Sequence, residues 1–548
     1  MATIETNLGM ARRRSGGTVW RVPALARHPA SHPRPAFDRR CHLPGCAGLR
    51  VATCTALVAA FALLSGCAGP KPKLFPLAPA ERRDSPGGIE RLYDVNGDGR
   101  ADYAETLPHG PDARVAVLRF DLNGDGDLET EVDWATAAAG PDVRHLIIIL
   151  DSVPYAMVRE HWEQGRFRLF DPPSRVISPF PVMTDPCLAE FFGVSPCPGV
   201  EALHHDGRGL RGGTGAYLRG GNSPWLAFVD YRLGPGAHAY AYLWPGLWYD
   251  HDLGRIQHGF ERSQAPLYVG YAMSTSALGA QRGRNGHQVA LVKLERLCRQ
   301  IVYQTRGHVQ ITLLSDHGHD LVRSQRLALD QHLRRCGWNV TGELRRPEDV
   351  SVPQFGAVTC AALYTRWPEA VARDAVGFAG VDLAAYLDAD DGVIVLNRNG
   401  RARIERAANG FRYVREFGDP LVLAPILDEL RRAGQLTDDG SVADDVLFAA
   451  TTEHVYPDPL HRLWRAFHGL FVHTPDVLLS IHEGWHVADA FFSDVLGPAS
   501  SHGALSAASS TAFVMTTAGE LPAVLRMEDL AAELRELGVP LGAVTMDK

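Results

Sequence analysis

The chain has 548 residues, 45% hydrophobic, 22% charged and 8% aromatic, with a formal net charge of −8. This ordinary globular composition excludes wholesale disorder and collagen-like or heptad repeats, and the acidic balance argues against an extended basic surface for nucleic acid. At roughly 150 residues per domain the length allows about three units, or one large core with insertions.

The first feature in chain order is the apolar run Val51–Gly66, preceded by an arginine-rich segment and followed by Cys67. Sixteen residues are too few for a comfortable membrane span of about 20, but they suit the apolar region of an export signal. Leu64-Ser65-Gly66-Cys67 resembles the lipobox of bacterial lipoproteins, which implies lipidation at Cys67 and residence in the cell envelope (periplasm or outer membrane). The 50 residues ahead of the run exceed a usual signal n-region, so the true start is open. Residues 1–66 hold nine Arg and two acids, or +7, so their removal leaves a body of net charge −15. Such a body favours cations over polyanions. Nine cysteines fall to five beyond Cys67; Cys187 and Cys197 are candidates to pair, and no CxxC suggests a cysteine zinc site.

Residues 68–90, rich in Pro, Lys, Arg and Ala, read as a tether, and residues 91–140 as a small calcium-loop module. Asp94, Asn96, Asp98, Arg100 (by its carbonyl), Asp102 and Glu105 occupy positions 1, 3, 5, 7, 9 and 12 of an EF-hand-like loop, with Gly99 at the turn. A second, weaker loop offers Asp121, Asn123, Asp125, Asp127 and Glu129, with Val132 where the bidentate Glu belongs. Both also fit plain Asn-Gly and Asp-Gly hairpin turns; calcium here would staple the module rather than serve catalysis.

From residue 143 the pattern becomes α/β. Val143–Leu150 is apolar throughout, as a strand buried on both faces requires, and Pro266–Thr275 looks like another. Residues 288–306 place Leu291, Leu294, Leu297 and Ile301 on one helical face, and His308–Ser315 follows as a strand, making a crossover unit of a mostly parallel sheet flanked by helices. Val477–Ile481 and Thr511–Ala518 offer more strands and Met527–Leu537 a closing helix, while about 330–495 reads as a cap insertion.

Four polar segments follow these strands: Leu150-Asp151-Ser152, Met183-Thr184-Asp185-Pro186, Leu314-Ser315-Asp316-His317-Gly318 and Ser501-His502-Gly503. Open parallel sheets gather ligands at such strand ends. In this order, with the late Gly418-Asp419-Pro420-Leu421, they resemble the alkaline phosphatase superfamily, in particular its phosphodiesterase and nucleotide pyrophosphatase branch, over residues 143–548. The resemblance implies one metal, usually Zn²⁺, held by Asp151, Thr184, Asp316 and His317, with Thr184 as nucleophile. It also implies a second metal held by His502 together with an Asp and a His, where this chain has Ser276 and Ala280. The second zinc site is therefore expected to be degenerate, unless His204, His205, His287 or His319 rebuild it; His502 is left as a candidate proton donor to the leaving group.

Three readings follow: an envelope-anchored hydrolase of phosphate esters with one metal or low activity; a degenerate relative that binds a phosphorylated or anionic ligand without turnover; and a structural envelope lipoprotein. Mono- versus diester preference and substrate identity stay open.

Overall fold

The computed structural model describes residues 69–137, 143–218, 223–488 and 497–542; the signal-like segment and Cys67 lie outside the described residues. The chain divides into two compact units, Met1–Cys67 and Ala68–Lys548, and the described residues belong to the second. Among them no helix is long and apolar enough to cross a membrane.

The expected tether is folded from its start. Residues 69–73 lie along a helix of the body, where the Lys73 amide donates to Gln257 Oε1 at 2.8 Å. Phe75 is fully buried among Tyr93, Tyr103 and Tyr303. A five-stranded antiparallel meander follows, β1 (Glu81–Ser85), β2 (Gly88–Tyr93), β3 (Tyr103–Leu107), β4 (Val117–Phe120) and β5 (Thr130–Asp133). The two acidic loops are its β2–β3 and β4–β5 hairpin turns, so strands rather than the helices of an EF-hand flank them.

The central sheet is built from β6 (Arg144–Leu150), β7 (Ser174–Ile177), β8 (Tyr231–Arg232), β9 (Leu267–Ala272), β10 (Val309–Ser315), β11 (Thr511–Thr516) and β12 (Val524–Arg526), in the order β8-β9-β6-β10-β11-β7-β12. Only β11 runs antiparallel, so this is a mostly parallel α/β sheet. β6, next to the central strand β10, has Leu146 to Leu150 all buried, as an apolar run with helices on both faces must be. The segment expected as one strand from Pro266 to Thr275 ends at Ala272, because Ser274 and Thr275 turn their hydroxyls onto Asp252 and the Ala272 carbonyl and open a helix.

Within the stretch expected as a cap, about 330–495, strands between residues 339 and 481 form a nine-stranded sheet, one face of which shares a core with the central sheet. Val477–Ile481 belongs to that second sheet, between Cys360–Thr365 and Val381–Leu387. Gly418-Asp419-Pro420-Leu421 has a structural part: Asp419 accepts the Ala424 amide at 2.7 Å and ties down the next helix. Cys187 and Cys197 are both buried free thiols and do not pair.

Candidate active site

Strand register explains why distant residues meet. Leu150 is paired with Ala272 on one side and with Ser315 on the other. The residues that follow each, Asp151, Met273 and Asp316, therefore leave the sheet at one level. Thr184 arrives from the side as the first residue of α2 (Thr184–Phe191; α1 is Tyr155–Glu163), entered through extended Met183. His502 is held beside it, since the Val182 amide donates to the Gly503 carbonyl at 3.1 Å. Both glycines of the two His-Gly pairs are required by crowding: a Cβ on Gly318 would lie 2.4 Å from the Ala508 carbonyl oxygen, and Gly503 sits at φ +124 against Cys360.

The structure gathers Asp151, Asp316 and His317 as one buried group of donor atoms. His317 Nε2 lies 3.4 Å from Asp316 Oδ2, 4.0 Å from Asp151 Oδ1 and 3.4 Å from Thr184 Oγ1. His317 Nδ1 is 3.0 Å from the Gly318 carbonyl and His502 Nδ1 3.0 Å from that of Val182. A carbonyl only accepts, so both Nδ1 atoms carry the hydrogen and both Nε2 atoms present lone pairs. Asp316 Oδ1 accepts the amides of Ser152 (3.0 Å) and His317 (2.9 Å), while the buried Oδ2 has no hydrogen-bond partner. Burial and then the adjacent Asp151 push the Asp316 carboxyl up to about 8. Burial, followed by His317, holds His502 down at about 4.

A cation answers these observations. Ligands about 2.0–2.2 Å from a tetrahedral Zn²⁺ stand roughly 3.3–3.6 Å apart, close to the separations around His317 Nε2, and carboxylate plus neutral imidazole is a zinc-type donor set. An isolated buried carboxylate oxygen is costly without such a partner. Asp151, Thr184, Asp316 and His317 thus fit one metal.

The other side of the site is different. Ser276 is buried, and it and Ala280 line the same cavity, of about 770 Å³, as Asp151, Thr184 and His502. Ser276 takes part in a hydroxyl cluster: Ser152 Oγ is 3.2 Å from Ser276 Oγ and 2.6 Å from Asp151 Oδ1, Tyr271 donates to Asp151 Oδ2 at 2.5 Å, and Tyr242 bonds Ser276. Among the described residues no second group of acids and imidazoles gathers there. His287 and His319 meet each other instead, Nε2 to Nδ1 at 3.1 Å, with His319 at the cavity wall. His204 stacks on His473 at the far wall and His205 faces Tyr364.

Sequence reasoning missed Ser152, Tyr271, Tyr242 and Trp225. Ser152 has φ 65, a conformation rare outside glycine, which aims its amide at Asp316; nothing in the sequence signals it. Trp225 donates to Asp185 Oδ1 at 2.8 Å and packs edge-on to Tyr271, fixing the wall behind Thr184.

The acidic loops reverse their expected ranking. Glu105 turns inward, fully buried and 3.0 Å from Arg299, so it does not close the first loop. Asp102 accepts the Val95 and Asn96 amides, and Asp94 those of Gly97 and Gly99. In the second loop Asp121, Asp125 and Glu129 bring carboxylate oxygens within 4.8 Å of one another, with Asn123 and Asp127 on the same turn.

No family model matches the chain, and no curated protein matches it in sequence. Among solved structures it is similar to murine ectonucleotide pyrophosphatase/phosphodiesterase 5, at 11% identity and a TM-score of 0.36, over 73% of this chain and 96% of that one.

Proposed function

We propose that the protein is a metal-dependent hydrolase of phosphate esters, of the phosphodiesterase and phosphatase type, with Thr184 as nucleophile and one Zn²⁺-type ion. The observation that carries this is the convergence of Asp151, Thr184, Asp316 and His317 around an unsatisfied carboxylate oxygen, inside a cavity large enough for a small ester. The bound ion would supply a lowered hydroxyl pKa at Thr184 and charge neutralisation at the phosphoryl group. Thr184 Oγ1, its proton lost to solvent, then attacks phosphorus in line with the ester oxygen, whose bond breaks and which leaves as alkoxide or aryloxide; water displaces the threonine in a second step, giving up a proton and releasing phosphate from a monoester or a phosphate monoester from a diester. His502, with Nδ1 tied to Val182, presents a proton acceptor, so it serves the attacking water; this replaces the donor role expected from the sequence.

The leaving oxygen faces hydroxyls where the family resemblance places a second metal. Missing charge stabilisation at such an oxygen typically costs ~3–4 kcal/mol, or ~100-fold to 1,000-fold in rate. Aryl esters, whose leaving groups need the least help, should therefore react faster than alkyl esters. The test is turnover of bis(4-nitrophenyl) phosphate by the Zn²⁺-loaded protein, with Thr184→Ala expected to abolish it. Equal rates for the two proteins across several metals would reject the hydrolase.

A second reading, binding without turnover, is favoured by Ser276 and Ala280 themselves. Ser276→Asp with Ala280→His distinguishes the two: a gain of ~100-fold or more marks a competent scaffold short of one ion. We also propose that Cys67 is lipidated, placing the body at an envelope membrane, and that Ca²⁺ occupies the second acidic loop.

A further inference from the structure

We infer that Tyr242 is a catalytic residue of this site, its hydroxyl donating a hydrogen bond to the ester oxygen as that oxygen leaves; the inference rests on the proposed hydrolase. Tyr242 sits where two helices meet at the cavity wall, α3 (Pro235–Leu243) packed against α4 (Ser274–Arg282). His238 and Tyr242 are four residues apart on α3, and Ser276 and Ala280 four apart on α4, so each pair shares a helix face. All four line the cavity with Asp151, Thr184 and His502, and Tyr242 is hydrogen-bonded to Ser276 across the seam.

Hydrogen accounting singles out Tyr242 among its neighbours. Each hydroxyl carries one hydrogen, and a carboxylate is the strongest acceptor in reach. Tyr271 gives its hydrogen to Asp151 Oδ2 at 2.5 Å, and Ser152 to Oδ1 at 2.6 Å. His238 Nε2 donates to the Leu233 carbonyl at 3.0 Å. The hydrogens of Ser276 and Tyr242 are left; Ser276 is buried, whereas Tyr242 is partly exposed at the cavity wall. With its own hydrogen on Asp151, Ser152 Oγ accepts from Ser276, 3.2 Å away. At rest, then, Tyr242 donates to Ser276, Ser276 to Ser152 and Ser152 to Asp151. When negative charge grows on an oxygen at this wall, Ser276 turns its hydrogen to Tyr242 Oη, and Tyr242 turns its own to that oxygen. Only the long Ser276–Ser152 contact is given up, and a hydroxyl that accepts one hydrogen bond donates a stronger one.

The direction of attack agrees. In-line displacement puts the leaving oxygen on the side of phosphorus away from Thr184. Asp151 divides the site in that sense. Its Oδ1 is 4.0 Å from His317 Nε2, on the Thr184 side, and 2.6 Å from Ser152 Oγ, on the side of Ser276 and Tyr242. A phosphoryl group beside Asp151, with Thr184 behind it, therefore presents its leaving oxygen to Tyr242. The proton stays on Tyr242; the oxygen departs as aryloxide or alkoxide and takes its hydrogen from solvent. A donor aimed at developing charge in this way is typically worth ~100-fold in rate.

The test uses the full chain loaded with Zn²⁺ and two diesters that differ only in the leaving group, methyl 4-nitrophenyl phosphate and methyl phenyl phosphate. Phenoxide keeps more charge on its oxygen than nitrophenoxide, so it depends more on a donor. Tyr242→Phe, which retains the ring, should lower kcat ~100-fold for the phenyl ester and only a few-fold for the nitrophenyl ester, at unchanged zinc content and melting temperature. Ser276→Ala, which removes the positioning partner of Tyr242, should show the same preference at ~10-fold. Vanadate, whose five-coordinate form sets an apical oxygen opposite Thr184, gives a reading without turnover: its Kd should rise ~10-fold in Tyr242→Phe. Equal losses on the two esters, or an unchanged vanadate Kd, would overturn the assignment of Tyr242 and leave the hydrolase standing. Should the native protein turn over neither diester above Thr184→Ala, the hydrolase falls and the role of Tyr242 with it.

Discussion

Glu105 and Asp316 are both fully buried carboxylates, and the protein treats them in opposite ways. Glu105 faces Arg299, with Nε at 3.0 Å and Nη2 at 3.2 Å, and takes weak contacts from the Tyr93 and Tyr103 hydroxyls. Asp316 has a second acid, Asp151, for a neighbour, and its outer oxygen is bare. Glu105 has its counter-charge built into the chain, whereas Asp316, at the end of the central strands, faces another acid. The Glu105–Arg299 pair also fastens the meander to the helix of the central domain that carries Arg299.

Removing each charge at constant shape separates these cases. Glu105→Gln leaves Arg299 buried with only Glu295, at 3.6 Å, as partner. It should destabilise the protein by about 3 kcal/mol with or without metal, read as a fall in denaturation midpoint. Asp316→Asn should lower metal content from about one ion per chain to none. In chelator it should leave stability unchanged or raise it by about 1–2 kcal/mol, since Asn removes a buried carboxyl whose ionised form burial and Asp151 oppose. Strong destabilisation of the chelated Asp316→Asn protein would show the bare carboxylate to be structural and break the contrast.

A third buried cluster sharpens the comparison through pH. His461 has Nδ1 at 3.3 Å from Asp444 and Nε2 at 2.9 Å from Glu528, while Arg526 bridges Asp444 and Asp458. Burial opposes the imidazolium, but hydrogen bonds to the two carboxylates outweigh it and push His461 up to about 9. A folded pKa above the ordinary 6.5 stabilises the protein fully below pH 6.5, and this contribution is lost as pH rises through about 9. The difference of about 2.5 units corresponds to at most about 3 kcal/mol. Denaturant midpoints should fall between pH 6.5 and 9 in the native protein and fall less in His461→Gln; parallel profiles would remove the assignment.

How much of this was legible in the sequence differs by element. The apolar run ending at Leu150 and the crossover through residues 284–304 gave the central sheet, because burial on both faces leaves a continuous pattern. Asp151, Thr184, Asp316 and His317 were readable as strand-end and helix-start residues. Tyr271 and Ser152 were not, since one looks like any strand aromatic and the other depends on a backbone angle. Val477–Ile481 reads equally well in either sheet, as local pattern carries no information about partner strands. Glu105 was misread because EF-hand spacing and strand alternation both place a carboxylate at that position, and spacing alone cannot say whether a partner like Arg299 waits on the buried face.

The smallest effect tests the two hairpin turns against each other. Their sequences are near copies and both turns tie side chains to their own backbone amides, Asp94 those of Gly97 and Gly99, Asp121 those of Gly124 and Gly126; they differ at the last acid, since Glu105 is buried against Arg299. In the second, Glu129 returns from beyond the turn to stand with Asp121 and Asp125, and Asp125 has its carbonyl 2.9 Å from the Arg100 guanidinium of the first. Calcium should therefore raise the melting temperature by a few degrees, a shift equivalent to about 1–2 kcal/mol. Glu129→Gln should remove that shift while leaving the melting temperature in chelator unchanged, because the side chain is exposed. Asp94→Asn should leave the calcium shift intact. If Asp94→Asn abolishes the shift and Glu129→Gln does not, the ion belongs to the first turn, and the inward rotation of Glu105 does not disable that loop.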